Sequence, residues 1–231
     1  MKNIYNFERT EKKYLLSLTQ FKSFIDKAGK HIEEDDFKEV TVHNIYFDND
    51  IDLLIRHSIS EPNFKEKLRV RGYNDLNQVY FEIKKKFDKV VYKRRVSITF
   101  DEIDNEYTFN HKHGQIENEI EYFIKKYNVV PKYYIGYKRM AYKDTGQCNL
   151  RITFDKDIVY RMNDLDLRSG FYGKHLLEDN QVIMEIKTNE AMPLWLVDVL
   201  NKLSIYPTSY SKVGNIYKKE FMKNKGVELW T

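Results

Sequence analysis

Residues Lys65 to Tyr73 read KEKLRVRGY, and the alternation within them decides the fold. A strand turns successive side chains to opposite faces, so Lys67, Arg69 and Arg71 share one face while Leu68 and Val70 share the other. The pattern recurs along the chain. Arg9, Glu11 and Lys13 alternate in RTEKKY, and Glu82, Lys84 and Lys86 alternate in FEIKKK. Lys93 and Arg95 lead into Ser97 and Thr99, with Val96, Ile98 and Phe100 opposite. Tyr137 and Arg139 alternate in GYKRMAY, Arg151, Thr153 and Asp155 oppose Leu150, Ile152 and Phe154, and Glu185 and Lys187 alternate with Met184 and Ile186. The turn Asp144-Thr145-Gly146-Gln147 between two of these runs has hairpin chemistry, so antiparallel pairing is expected.

A polar strand face that meets water accounts for one such strand. It accounts less well for six or so strands that each put Lys or Arg on one face, because two like charges about 4 Å apart repel by roughly 4 kcal/mol at an effective dielectric near 20. Closing the sheet resolves this. The charged faces then line a wet channel, and the apolar faces lie outside under helices. Such a channel suits a long polyanion. The carboxylates Glu11, Glu82 and Glu185, set among the cations, point to a hard divalent cation with oxygen ligands. Cations and a metal together are what phosphoryl transfer requires.

Three helices are predicted to cover the sheet. Phe21, Phe24, Ile25 and Ala28 share a helical face that ends near Gly29, and Ile116, Ile120, Phe123, Ile124 and Tyr127 recur at helical spacing from Gln115 to Tyr127. A third helix begins at Pro193 and carries Leu194, Leu196, Val197, Leu200 and Leu203. Short turns of helix after Asn49 and Ser211 are weaker signals, and the acidic run Glu33 to Asp36 reads as a solvated loop. The 231 residues fit one domain spanning 1–231. A composition of 42% hydrophobic, 15% aromatic and 32% charged residues allows a packed core and argues against a membrane protein. Net charge is only +4, so the placement of charge matters more than its sum. Cys148 is the single cysteine, which excludes an internal disulfide and suits a reducing compartment. No apolar run spans a bilayer, and a cytoplasmic location is expected.

RTEKKY, NIYFDN (Asn44 to Asn49), KLRVRGY, FEIKKK, YKRRV (Tyr92 to Val96), YKRMAY, LRITFD, MEIK and SKVGN (Ser211 to Asn215) occur in that order. Together they resemble the polyphosphate polymerase (VTC) domain of the triphosphate tunnel metalloenzymes, over roughly the whole chain. The resemblance implies an α+β fold built on an eight-stranded antiparallel β-barrel tunnel, with helices packed on its outside. It also implies transfer of the terminal phosphate of ATP to a growing polyphosphate chain with Mn2+ or Mg2+. Carried over by position, Lys13, Arg69, Arg71, Lys84, Arg139, Arg151, Lys187 and Lys212 would be catalytic. Arg9, Lys67, Lys86, Lys93, Arg95, Tyr137 and Ser211 would bind substrate. Glu185 would be the metal-binding glutamate, while Glu11 and Glu82 would be either secondary metal or water ligands or neutralising partners of nearby arginines.

Eukaryotic proteins of this kind carry membrane helices, whereas this chain shows none, so coupling to transport would need a separate membrane partner. The expected ligands are ATP and polyphosphate, held by a monomer or dimer. Water as acceptor would make the same tunnel a tripolyphosphatase or nucleoside triphosphatase, and loss of turnover would leave a sensor of polyphosphate or inositol phosphates. Binding of single-stranded nucleic acid by stacking is disfavoured, since the aromatic residues fall mostly on the face opposite the cations. His111 and His113 in NHKHG read as exposed loop residues, Gly170, Gly173 and Lys174 do not make a phosphate loop, and Cys148 has no local partner that marks a nucleophile.

Overall fold

The computed structural model describes residues 10–61, 63–88, 90–104, 106–110, 114–146, 149–189 and 191–222. Arg9, His111, His113 and Cys148 lie outside them. The strands are β1 (Thr10–Ser17), β2 (Ile32–Asp48), β3 (Phe64–Tyr73), β4 (Val79–Phe87), β5 (Val90–Ile98), β6 (Val130–Asp144), β7 (Arg151–Arg161), β8 (Lys174–His175) and β9 (Gln181–Thr188). The helices are α1 (Leu18–Ala28), α2 (Leu53–Ser60), α3 (Gln115–Tyr127), α4 (Leu194–Lys202) and α5 (Lys212–Tyr217). An α+β fold rich in antiparallel sheet is thus present as expected. The strands follow the order β1-β9-β7-β6-β2-β3-β4-β5, with β8 beside β7. Among the described residues this path is open, so strand pairing does not close the expected barrel.

All three main helices fall where their periodicity puts them, and the turns after Asn49 and Ser211 become α2 and α5. The acidic run is a correction. Glu33 to Asp36 belong to β2, where Glu33 pairs with Lys143 and Asp35 with Arg151. Strands β6 and β7 supply the cations that pair with these acids.

The chain divides into two compact units. The first comprises residues 1–40, 138–157 and 177–210, and the second 41–137, 158–176 and 211–231. In the first, β1, β9 and β7 pair in antiparallel register, and Tyr14, Leu16, Ile152, Phe154, Met184 and Ile186 turn to a core completed by Phe24 of α1 and Leu196 of α4. Helix α1 starts at Ser17, whose hydroxyl accepts from the Gln20 backbone at 3.1 Å while the Gln20 side chain accepts from the Ser17 backbone. This reciprocal cap satisfies donors that a helix start leaves open. His31 stacks on Trp195, with ring centroids 4.5 Å apart.

In the second unit β2, β3, β4 and β5 form an antiparallel run. Ile45, Leu68, Val70, Phe81 and Ile83 face a core closed by Ile120 and Phe123 of α3. Helix α3 ends at Asn128 in the left-handed region (φ 47°), its backbone N–H donating to the Ile124 carbonyl. Asp48 and Asn49 of NIYFDN start α2: the Asp48 carboxylate accepts from the Leu54 and Ile55 backbones, both at 2.9 Å, and the Asn49 side chain accepts from Leu53 at 3.0 Å. Buried Arg161 lies between the rings of Tyr134 and Tyr172 and donates to the carbonyls of Asp164, Asp166, Gly170 and Tyr172. This cation serves the fold. No helix among the described residues is long and apolar enough to cross a membrane.

Candidate functional site

In the second unit, strand register sets the cations in rows. Lys65 lies opposite Lys86, Lys67 opposite Lys84 and Lys84 opposite Lys93, Arg69 opposite Glu82 and Glu82 opposite Arg95, and Arg71 opposite Tyr80. On the described part of this β3–β4–β5 face, Glu82 is the one carboxylate set among those cations. Glu82 is 2% exposed. Arg69 Nε and Nη2 both reach its Oε2 at 2.6 Å, and Lys93 Nζ reaches Oε1 at 2.6 Å. Burial alone would raise its pKa, but Arg69, Arg71 and Lys93 outweigh burial and hold the carboxyl near about 2. Burial pushes Lys93 down, against the pull of Glu82. In this geometry Glu82 neutralises Arg69 and Lys93.

Strand β2 contributes polar groups to the same unit. Asn44 lies opposite Arg71 and Tyr46 opposite Arg69. Arg71 donates through Nε to Asn44 Oδ1 at 2.8 Å and through Nη2 to the Tyr137 hydroxyl at 3.0 Å, while Asn44 Nδ2 donates to the Ile135 carbonyl at 2.9 Å. Arg69 Nη1 donates to the Tyr46 hydroxyl at 2.8 Å. These bonds fix both guanidinium planes before any ligand arrives, and pre-set donors are what anion recognition by arginine needs. Arg95 lies over the Tyr80 ring, 4.7 Å from its centroid.

Ser211 caps α5, its hydroxyl accepting from the Gly214 backbone at 3.2 Å. The same hydroxyl accepts from Lys67 Nζ at 3.4 Å, and Lys212 Nζ sits 4.4 Å from the Tyr137 ring centroid. The SKVGN segment is thereby held against the cationic strands of its own unit.

The first unit is organised differently. Lys13, Glu185 and Thr153 form one row across β1, β9 and β7, and Glu11, Lys187 and Arg151 form the next. Glu185 pairs closely with Lys187, which also lies 3.9 Å from Glu11, while Lys13 is 3.5 Å from Glu11. Burial would raise the Glu185 pKa, but Lys187, Lys13 and Arg139 bring it to about 2. Arg139 grips Asp155 through two bonds, Nε at 2.6 Å and Nη2 at 2.8 Å. Arg151, half exposed, pairs with Asp35 at 2.8 Å. Thr153 is 4% exposed, and its hydroxyl has no hydrogen-bond partner among the described residues.

Each unit therefore gathers its own share of the expected residues. Lys67, Arg69, Arg71, Glu82, Lys84, Lys86, Lys93, Arg95, Tyr137, Ser211 and Lys212 belong to the second, and Glu11, Lys13, Arg139, Arg151, Glu185 and Lys187 to the first. Asn44, Tyr46 and Asp155 were not singled out from sequence, although all three sit in quoted motifs on the polar side of their strands. The rings of Tyr46 and Tyr80 are exceptions to the general segregation and lie with the cations, as Tyr137 is expected to by its alternation with Arg139.

Among the described residues, no three His, Cys, Asp or Glu side chains gather into an all-protein metal cage. Glu185 and Glu11 meet at one cation, Lys187. These two carboxylates are the ones that could hold a Mg2+-like ion, which is commonly bound by one or two carboxylates and completes its shell with phosphate oxygens and water.

Both units are thus antiparallel sheet that carries rows of Lys and Arg beside ionised carboxylates. The VTC domain model matches residues 8–221, and the chain belongs to that family. Two of the solved structures that resemble it illustrate the likeness. One is an adenylate cyclase candidate from Bacillus halodurans, with TM-score 0.55 and 13% identity over 91% of this chain and 96% of that one. The other is an adenylate cyclase candidate from Vibrio parahaemolyticus, with TM-score 0.50 and 10% identity over 90% and 97%. At these identities the likeness is one of fold. No curated protein matches.

Proposed function

We propose that this chain is a metal-dependent phosphotransferase that lengthens inorganic polyphosphate from ATP. The observation that carries the reading is the cation surplus of the described β3–β4–β5 face, where Lys67, Lys84, Lys93, Arg69, Arg71 and Arg95 lie with one carboxylate, Glu82. Offsetting charge on phosphate oxygens with fixed donors is the main demand of phosphoryl transfer. Arg69 and Arg71 would orient the phosphates through guanidinium planes already set by Glu82, Asn44 and Tyr137. The tunnel implied by the family resemblance is part of the same proposal.

In the step itself, a terminal phosphate oxygen of the acceptor attacks the γ-phosphorus of ATP. The bond from that phosphorus to the β–γ bridging oxygen breaks, and ADP leaves with the electron pair. The attacking oxygen is already ionised, so no side chain need remove a proton. Glu185 and Glu11 would hold Mn2+ or Mg2+, which when bound supplies positive charge shared with phosphate oxygens. Lys187 and Lys13 balance those carboxylates otherwise.

The test is incubation of purified protein with ATP and Mn2+, with products sized on a gel. Polymer that lengthens with time supports the proposal. Free phosphate alone would make the protein a triphosphatase, and no turnover of ATP at all would contradict both enzymatic readings.

A further inference from the structure

Arg69 lies in the middle of the second unit's cationic face, and its donors are engaged on two sides. Nε and Nη2 go to Glu82, and Nη1 goes to the Tyr46 hydroxyl at 2.8 Å. Glu82 is buried and also tied to Lys93, so an arriving anion cannot readily displace it. Tyr46 is half-buried and lies directly opposite Arg69 in register. The groups around it leave a surplus of positive charge. Lys67, Arg69 and Arg71 come from β3, and Glu82 of β4 is reached through Arg69. Tyr137 of β6 and Asn44 of β2 are both on Arg71, Asp48 is turned into the start of α2, and Lys212 of α5 sits on Tyr137. Lys67, Val213 and the carboxylates of Glu66 and Asp48 line a small cavity together with Tyr46, and Glu66 is itself paired with Lys85.

We propose that Tyr46 is a positioning residue for the phosphate chain: in the empty site its phenol oxygen is the internal counter-anion on Arg69, and an incoming phosphate oxygen takes over the Nη1 edge. The proposal deepens the function argued above and rests on it. Tyr46 then takes one proton from solvent and donates a hydrogen bond to the phosphate in place of the charge it gave up.

The electrostatics agree with this geometry. Burial would raise the Tyr46 pKa, but Arg69, Arg71 and Lys67 together bring it to about 7. Tyr14, Tyr107, Tyr133, Tyr134 and Tyr160 are all pushed upward by burial instead. A bound polyanion disfavours a phenolate beside it, so binding raises the pKa and draws in a proton. The Tyr46 contribution to affinity therefore falls as pH rises above about 7.

Near-ultraviolet difference spectra of the ligand-free protein, followed between about pH 6 and about pH 9, test the counter-anion without any ligand, because ordinary tyrosines ionise near 10. The expected result is a tyrosinate band of one residue, with midpoint near 7, that is missing in Tyr46→Phe. Tripolyphosphate added at about pH 8 should then abolish the band, and calorimetry in two buffers of different ionisation enthalpy should show uptake of about one proton. Tyr46→Phe should bind without that uptake. No band in this range, an equal band in Tyr46→Phe, or tripolyphosphate bound with the band intact would each overturn the proposal. If the band titrates near 7 but tripolyphosphate does not bind, the functional reading fails and the hand-over fails with it.

Discussion

The two units use the same strand grammar and reach opposite charge balances. In the first, Lys187 answers Glu185 and Glu11, Arg139 answers Asp155, and Arg151 answers Asp35. In the second, Arg69 and Lys93 converge on one acid, and the lysine rows beside them add no further carboxylate to the described face. A balanced face holds its side chains in place and can share its acids with a divalent cation. A face with surplus charge stores repulsion that an anion relieves on binding. Under the proposed function, the second unit would hold the phosphate chain and the carboxylates of the first would hold the divalent cation.

The largest expected effect comes from removing one guanidinium in each unit. Arg69→Ala leaves Glu82 with Lys93 but without its guanidinium, and Arg139→Ala takes the two-bonded guanidinium from Asp155, each carboxylate being almost fully buried. Breaking such a pair costs roughly 3 kcal/mol or more, so both variants should lose that much in urea denaturation. Only Arg69→Ala should also abolish tripolyphosphate binding in calorimetry; equal losses of binding in the two variants would erase the comparison.

Acid should act on both units in the same direction. Glu82 and Glu185 have folded-state pKa values near about 2 against an ordinary value of 4.5. Lowered carboxylate pKa values contribute stability above 4.5 that is lost as pH falls from 4.5 toward about 2. Denaturation midpoints measured through that window should fall, and Glu82→Gln or Glu185→Gln should each flatten part of the decline.

A smaller effect separates the units by metal. Glu185→Gln should weaken Mn2+ binding, read by the spin resonance of free Mn2+ in the presence of tripolyphosphate, by about tenfold or roughly 1.4 kcal/mol. Glu82→Gln should leave it nearly unchanged, since Arg69 and Lys93 already hold that carboxylate. Equal weakening by both would return Glu82 to the metal ligands. The smallest change is expected at the half-exposed pair of Arg151 and Asp35, where Arg151→Ala should shift stability by at most about 1 kcal/mol.

Much of this was legible because the two-residue period is rigid. Lys67, Arg69 and Arg71 of KLRVRGY and Lys84 and Lys86 of FEIKKK share one face by parity, with Lys85 on the other, and the helical period placed α1 and α3 from their apolar residues. Charge partners across strands were harder to see. Nothing local to Glu33 to Asp36 shows that Lys143 and Arg151 will come alongside, so an acidic strand read as a loop. In NIYFDN the face carrying Asn44 and Tyr46 was available from parity, but their importance depends on Arg69 and Arg71 arriving opposite them. The pairing of Glu82 with Lys93 depends equally on a strand that the local sequence does not place beside it.

Tripolyphosphate titrated calorimetrically into three proteins tests the contrast most directly: the wild type, a Lys84→Ala and Lys93→Ala double variant of the second unit, and a Lys13→Ala and Arg151→Ala double variant of the first. The predicted result is a loss of about a hundredfold in affinity, roughly 2.8 kcal/mol, for the second-unit variant and a much smaller loss for the first-unit variant. Equal losses, or a larger loss from the first unit, would contradict the assignment of the phosphate chain to the cation-rich face.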